Sequence, residues 1–215
     1  EQAGNHYIRS FLQWAGEDDG NLPREDAVLA VGSSSMRMWR SIEEDLAPLE
    51  IVHRGFGGSR MKDVVQMRDF FARYRCPKIL VYEGDNDLSG PWTKVERDFL
   101  EPVRAFVHYM RETVPGCEIY FISIKPSPVR SAAMERFEKG NAGLRELCAG
   151  QTYLHYIDVY TLMLDENGQP REELFRKDRL HMNERGYALW KDAVRGALLD
   201  DANLAMSPKA EPSCH

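Results

Sequence analysis

The feature that most constrains this chain is the stretch Ala27-Val28-Leu29-Ala30-Val31-Gly32-Ser33-Ser34-Ser35-Met36-Arg37-Met38-Trp39. Its opening is aliphatic without polar alternation, which is the pattern of a strand buried on both faces. The run stops at Gly32, passes three serines and resumes with Met36, Trp39 and Ile42 at helical spacing. A strand that turns at once into a helix through small hydroxyl residues sets a side-chain oxygen at the carboxyl edge of a sheet. The first-turn N–H groups there have no intrahelical partner and point at whatever binds. Every later motif can therefore be asked whether it supplies a base or an anion site for a serine.

The rest of the chain repeats the alternation of strand and helix. Residues 5–15 space Tyr7 or Ile8, Phe11, Leu12 and Trp14 as an amphipathic lead-in helix, and 16–26 read as a loop. The helix after the serines closes at Pro48. Leu49 to His53 is a second strand, and Ser59 is a candidate N-cap for a helix carrying Met61, Val64, Phe71 and Tyr74. Lys78 to Glu83 is a third strand, followed by a long helix over 93–113. Glu118 to Ile124 is a fourth, followed by a helix over 132–148. Tyr153 to Val159 is the fifth, and Asn183 caps a last helix running to about Leu199. This order predicts an α/β fold with a five-stranded parallel sheet and helices on both faces. A single domain over 1–202 is expected, with 203–215 a disordered tail. Ligands of such sheets bind at the carboxyl ends of the strands.

Composition narrows the partners. A formal charge of −6 and the lack of a dense basic block argue against nucleic acid. No apolar run approaches the roughly 18–20 residues of a membrane span. The chain opens on Glu1, so export after removal of a signal segment is the expectation, with simple trimming as its alternative. Cys76, Cys117, Cys148 and Cys214 form no CxxC pair and have no His at ligand spacing, which argues against zinc. Cys76 and Cys117 each precede a strand and could approach each other, although free thiols are the ordinary expectation.

Four short stations converge on the same sheet edge. Ser34 lies on the turn itself, while Ser33 finishes the strand and Ser35 enters the helix; alone, a serine here is usually a cap. Gly58, in Gly55-Phe56-Gly57-Gly58-Ser59, lets a backbone N–H approach a ligand without Cβ interference, or simply makes a tight turn. Asn86, in Gly84-Asp85-Asn86-Asp87, offers an uncharged amide donor; its two flanking acids alone are weak grounds for a cation site. Asp178, three residues before His181, can accept from His Nδ1–H and leave Nε2 as a base. Asp158, at the end of the fifth strand, is the rival acid. Lys125, Trp92 and Arg130 are expected at the rim as substrate-binding residues, and Trp39 in the core.

These four blocks, in this order, resemble the SGNH, or GDSL-type, hydrolase family. The resemblance covers about Ala27 to Leu199, with Ser33 standing where the family motif has Asp. It implies a flavodoxin-like three-layer α/β/α fold and ester hydrolysis without a cofactor or metal. It implies Ser34 as nucleophile, His181 as general base and Asp178 as its orienting acid. The oxyanion hole would comprise the Ser34 and Gly58 N–H groups and the Asn86 side chain. Within that family nothing here resembles a long apolar lid, so a small-molecule ester with a short acyl group such as acetyl is the expected substrate. Carbohydrate O-deacetylation, thioester or lysophospholipid hydrolysis are alternatives within the family. A non-catalytic binding module and a nucleotide-binding flavodoxin-like protein are the alternatives from other classes.

Overall fold

The computed structural model describes residues 4–20, 24 and 26–205. Five strands form one parallel sheet: β1 (Val28–Gly32), β2 (Ile51–Gly55), β3 (Lys78–Tyr82), β4 (Glu118–Ile122) and β5 (Leu154–Ile157). Their spatial order is β2-β1-β3-β4-β5, so the chain reverses its direction of travel between β1 and β3. Ligand crevices of open α/β sheets form beside such a reversal. Register brings Gly32 opposite both Gly55 and Tyr82, so β1 and its two neighbours, β2 and β3, end level with one another.

Alternate strand residues build two cores, as a period of two requires. Leu29, Val31, Ile79, Val81, Ile119 and Phe121 face one side. They meet α1 (Gly4–Glu17), α4 (Met61–Gln66), α5 (Arg68–Ala72), α6 (Glu101–Thr113) and α7 (Met134–Ala149). Val28, Ala30, Leu80, Tyr82, Tyr120 and Ile122 face the other. There they meet α3 (Ile42–Asp45) and α8 (Glu184–Ala205), with Trp39 and Trp190 fully buried between them. Each such side chain contributes about 2–3 kcal/mol of apolar burial. The α/β/α layering expected from the sequence is therefore present.

Local differences have local causes. The expected helix from Ser35 to Pro48 is two short pieces, α2 (Ser34–Arg37) and α3, yet Met36, Trp39 and Ile42 still share one buried face. The expected helix after Ser59 breaks at Met67 into α4 and α5. Ser59 is not its cap: the hydroxyl donates to the Phe56 carbonyl, and Asp63 accepts the Arg60 N–H instead. The helix expected from 93 starts at Glu96 with a wide π turn leading into α6. Asn183 does cap α8, accepting the Arg185 and Gly186 N–H groups at 2.9 and 3.3 Å. That helix reaches Ala205, so residues 203–205 of the expected tail are helical, and the tail from 206, with Cys214, lies outside the described residues. Parts of the expected 16–26 loop (21–23 and 25) also lie outside them. Cys76, Cys117 and Cys148 are buried free thiols. No helix among the described residues is long and apolar enough to cross a membrane.

Candidate active site

At the end of β1, Gly32 is required by crowding: a methyl at its Cα would lie 2.3 Å from the Tyr82 carbonyl oxygen. The chain passes close against β3 and enters α2 at Ser34, whose N–H heads the first turn and has no intrahelical acceptor. A helix of four residues needs bracing to stay in place. The His53 imidazole reaches the Met36 carbonyl at 2.8 Å, and the Tyr187 hydroxyl donates to the Ser35 carbonyl at 2.8 Å. The short turn is thus tied to β2 on one side and α8 on the other.

The segment before α8 reaches back to this turn across 147 residues of sequence. His181 Nε2 lies 3.0 Å from Ser34 Oγ, and Asp178 Oδ2 lies 2.7 Å from His181 Nδ1. The other Asp178 oxygen accepts the Leu180 and His181 N–H groups at 3.0 and 2.9 Å. Burial is the largest single influence and pushes the Asp178 carboxyl up, but the hydrogen bonds from His181 and those two amides and the attraction of a charged imidazole together outweigh it. The group is held down at about 2. A permanently charged acceptor at Nδ1 fixes the tautomer in which Nε2 faces the serine with its lone pair. Asp158 is elsewhere, accepting the Thr161 N–H and hydroxyl at 3.0 and 2.8 Å.

The opposite wall comes from the β2 and β3 loops. Gly58 has φ +81°, a backbone conformation that favours glycine, and its carbonyl accepts the Tyr7 hydroxyl at 3.0 Å. Asn86 Nδ2 donates to the Ser59 carbonyl at 2.9 Å while Arg130 donates to Asn86 Oδ1 at 2.9 Å. Reversing that amide would set NH2 against guanidinium and oxygen against oxygen. Its orientation is therefore dictated, with one N–H on Ser59 and a second left to face the cleft.

The structure brings Ser34, Gly58, Asn86 and His181 to one cleft of about 540 Å³, with Tyr7, Arg37 and Leu180 on its walls. The three expected rim residues are placed differently. Lys125 is fully buried beneath the cleft: its ammonium contacts Asp85 at 3.3 Å and the Leu180 carbonyl at 3.0 Å, so it joins the His181 segment to the β3 loop. Arg130 binds the Asp85 carbonyl at 2.6 Å as well as Asn86. Trp92 is 87% exposed and borders a neighbouring depression with Arg60 and Lys62. Two wall residues that spacing could have suggested are Arg37, one helical turn beyond Ser34, and Tyr7 on the lead-in helix.

Beneath the β3 loop lies a group of buried acids. Asp85 is kept below the usual carboxylate range because Lys125 and Arg130 outweigh its burial. Burial and Asp87 push Glu83 well up, while burial raises Asp87 to about 7. Asp87 accepts the Met61 and Gly84 N–H groups at 2.8 and 3.0 Å, and Ser59 Oγ meets Glu83 at 2.5 Å. The two cations beside Asp85 oppose a metal ion there, and no cluster of three or more metal-ligating side chains exists among the described residues.

Comparison with known proteins identifies the family and the fold. The GDSL-like Lipase/Acylhydrolase family model matches residues 23–189, and the chain belongs to that family. Among solved structures, a GDSL-like lipase from Bacteroides thetaiotaomicron aligns at 15% identity with TM-score 0.73, over 89% of this chain and 98% of that one. A carbohydrate esterase family 3 protein from Talaromyces cellulolyticus aligns at 14% identity with TM-score 0.66, over 82% and 98%. The catalytic domain of Streptococcus pneumoniae peptidoglycan O-acetyltransferase A aligns at 16% identity with TM-score 0.63, over 84% and 97%. Identities this low speak for the fold alone. A search of curated protein sequences gave no match.

Proposed function

We propose that this family member hydrolyses short-chain carboxylic esters through an acyl-enzyme on Ser34. The observation that carries the reading is the continuous relay from Ser34 Oγ to His181 and on to Asp178, at 3.0 and 2.7 Å. Ser34 is a weak nucleophile until His181 Nε2 takes its proton as Oγ attacks the ester carbonyl. Charge then develops on the carbonyl oxygen, facing the Ser34 and Gly58 N–H groups and the second N–H of Asn86. Donors already fixed in place stabilise that charge more than they stabilise the neutral ester. His181 returns the proton to the departing alcohol, and water attacks the acyl-enzyme by the same route. Asp178 orients the imidazole and balances the imidazolium without taking its proton.

The size of the cleft supports a small acyl group, with Phe56 and Leu180 among its apolar walls. Acetyl esters of sugars are the second reading, supported by the polar wall of Tyr7, Ser10 and Arg37 and the likeness to the carbohydrate esterase. The test is labelling with a fluorophosphonate. Folded wild type should be modified covalently, and Ser34→Ala should not. Unlabelled wild type with a native circular-dichroism spectrum would overturn the reading.

A further inference from the structure

The charge distribution at the cleft differs from that of the whole molecule. The chain carries 34 acidic and 28 basic side chains, yet among the described residues no acid lines the cleft. Among the described residues that line it, Arg37 is the one permanently charged side chain. It is exposed, and among the described residues it makes no hydrogen bond, ion pair or ring contact. Several other arginines are engaged, Arg54 with Asp18, Arg130 with Asn86 and Arg179 with Glu172. Arg40 and Arg75 on the surface resemble Arg37 in having no such bond among the described residues; what distinguishes Arg37 is its place on the wall of the cleft.

Arg37 lies against the neighbouring glycine loop. A methyl on Gly57 would fall 2.9 Å from Arg37 Nε and 3.4 Å from Nη2, so the guanidinium packs over the Gly57 backbone. The absence of a side chain at residue 57 makes room for it there. Gly57 adjoins Gly58, and Arg37 follows Ser34 by three residues, which on a helix places their Cβ atoms roughly 5–6 Å apart. A fork of N–H donors, with no internal acceptor, therefore stands beside the reacting carbonyl.

We infer that Arg37 selects esters carrying an anionic group, a carboxylate or phosphate, about three to six bonds from the scissile carbonyl. This rests on the hydrolase reading above and adds a substrate class to it. Water-exposed guanidinium alone binds anions weakly, but a site walled by protein strengthens the attraction.

The test compares esters of one shape and different charge: meta-acetoxybenzoate, meta-acetoxybenzamide and meta-acetoxyphenyltrimethylammonium. An acyl-side pair, the mono-para-nitrophenyl ester of adipate against para-nitrophenyl hexanoate, distinguishes which half of the substrate bears the charge. Wild type should favour the anion in at least one series by on the order of tenfold in kcat/KM, mostly through KM. The preference should shrink at high salt. Arg37→Gln should bring the anionic-to-neutral ratio close to one, and Arg37→Glu should turn the order toward the cationic ester. Equal wild-type rates across both series, or a ratio unchanged in Arg37→Gln, would overturn the inference while the hydrolase reading stands. A common fall in kcat for every ester would also overturn it, because that marks general stabilisation of the oxyanion. If no ester is turned over, calorimetry with meta-hydroxybenzoate against meta-hydroxybenzamide decides. Binding of the benzoate alone, lost in Arg37→Gln, supports the anion site without the hydrolase; no selective binding removes both.

Discussion

The two walls of the cleft are built on different principles. The His181 wall is local: Asp178 binds the backbone of the residues just after it and the ring three positions on. Half of its side chain remains in water. The Asn86 wall is assembled over long distances, with Arg130, Lys125 and Ser59 arriving from other loops and most of the acids buried. The difference matches what each wall is asked to do. A base that takes and returns a proton needs one lasting orientation and a nearby countercharge, which a tight turn supplies. A donor for a developing oxyanion must not reorient as the charge appears, so it is held from beneath by a rigid buried network.

Replacing single groups on each wall tests that contrast. The largest effect is expected from Asp178→Asn: the amide cannot serve the ring N–H and both backbone N–H groups as a carboxylate does. Ester turnover should fall on the order of 10⁴-fold. Asn86→Ala, which removes one oxyanion donor, should lower kcat about 10²–10³-fold with little change in KM. Arg130→Met leaves the amide in place but frees its orientation, and a drop in kcat of about tenfold is expected. A loss there as large as for Asn86→Ala would mean that Arg130 meets the substrate itself.

The smallest effect concerns stability. Asp87 sits at about 7 in the folded chain against an ordinary 3.8. Between those values the folded state binds more protons than the unfolded one, so stability should decline as pH rises from about 4 to 7. Asp87→Asn should flatten that decline, read as Tm against pH. An unchanged slope would assign the effect to Glu83, the other buried acid pushed upward.

The same contrast explains what could be read from the chain. The alternation of aliphatic strands with helices was legible because each strand of a doubly covered sheet is apolar throughout, and the turn at Gly32 marks where one ends. Asp178 and His181 were legible because three residues of backbone suffice to bring them together. Lys125 was not: its ammonium points to Asp85 and Leu180, 40 and 55 residues away, and only the packed fold determines whether a lysine at a strand end faces solvent or core. Arg130 was recognised as near the edge, but its bond to Asn86 spans 44 residues. Helix continuity was overestimated after Ser34 and after Ser59, where shared buried faces preserve the apolar spacing across a break.

The flush ending of β1, β2 and β3, with Gly32 level with Gly55 and Tyr82, has a consequence for how such a chain can change over generations. Residues may be added beyond that line at modest cost, since loop closure grows only slowly with length. One residue inserted within β1 would instead advance the serine by about 3.3 Å and swap the faces of every side chain after it. Diversity in what is hydrolysed can accordingly accumulate in the loops, while the lengths of three short strands stay frozen.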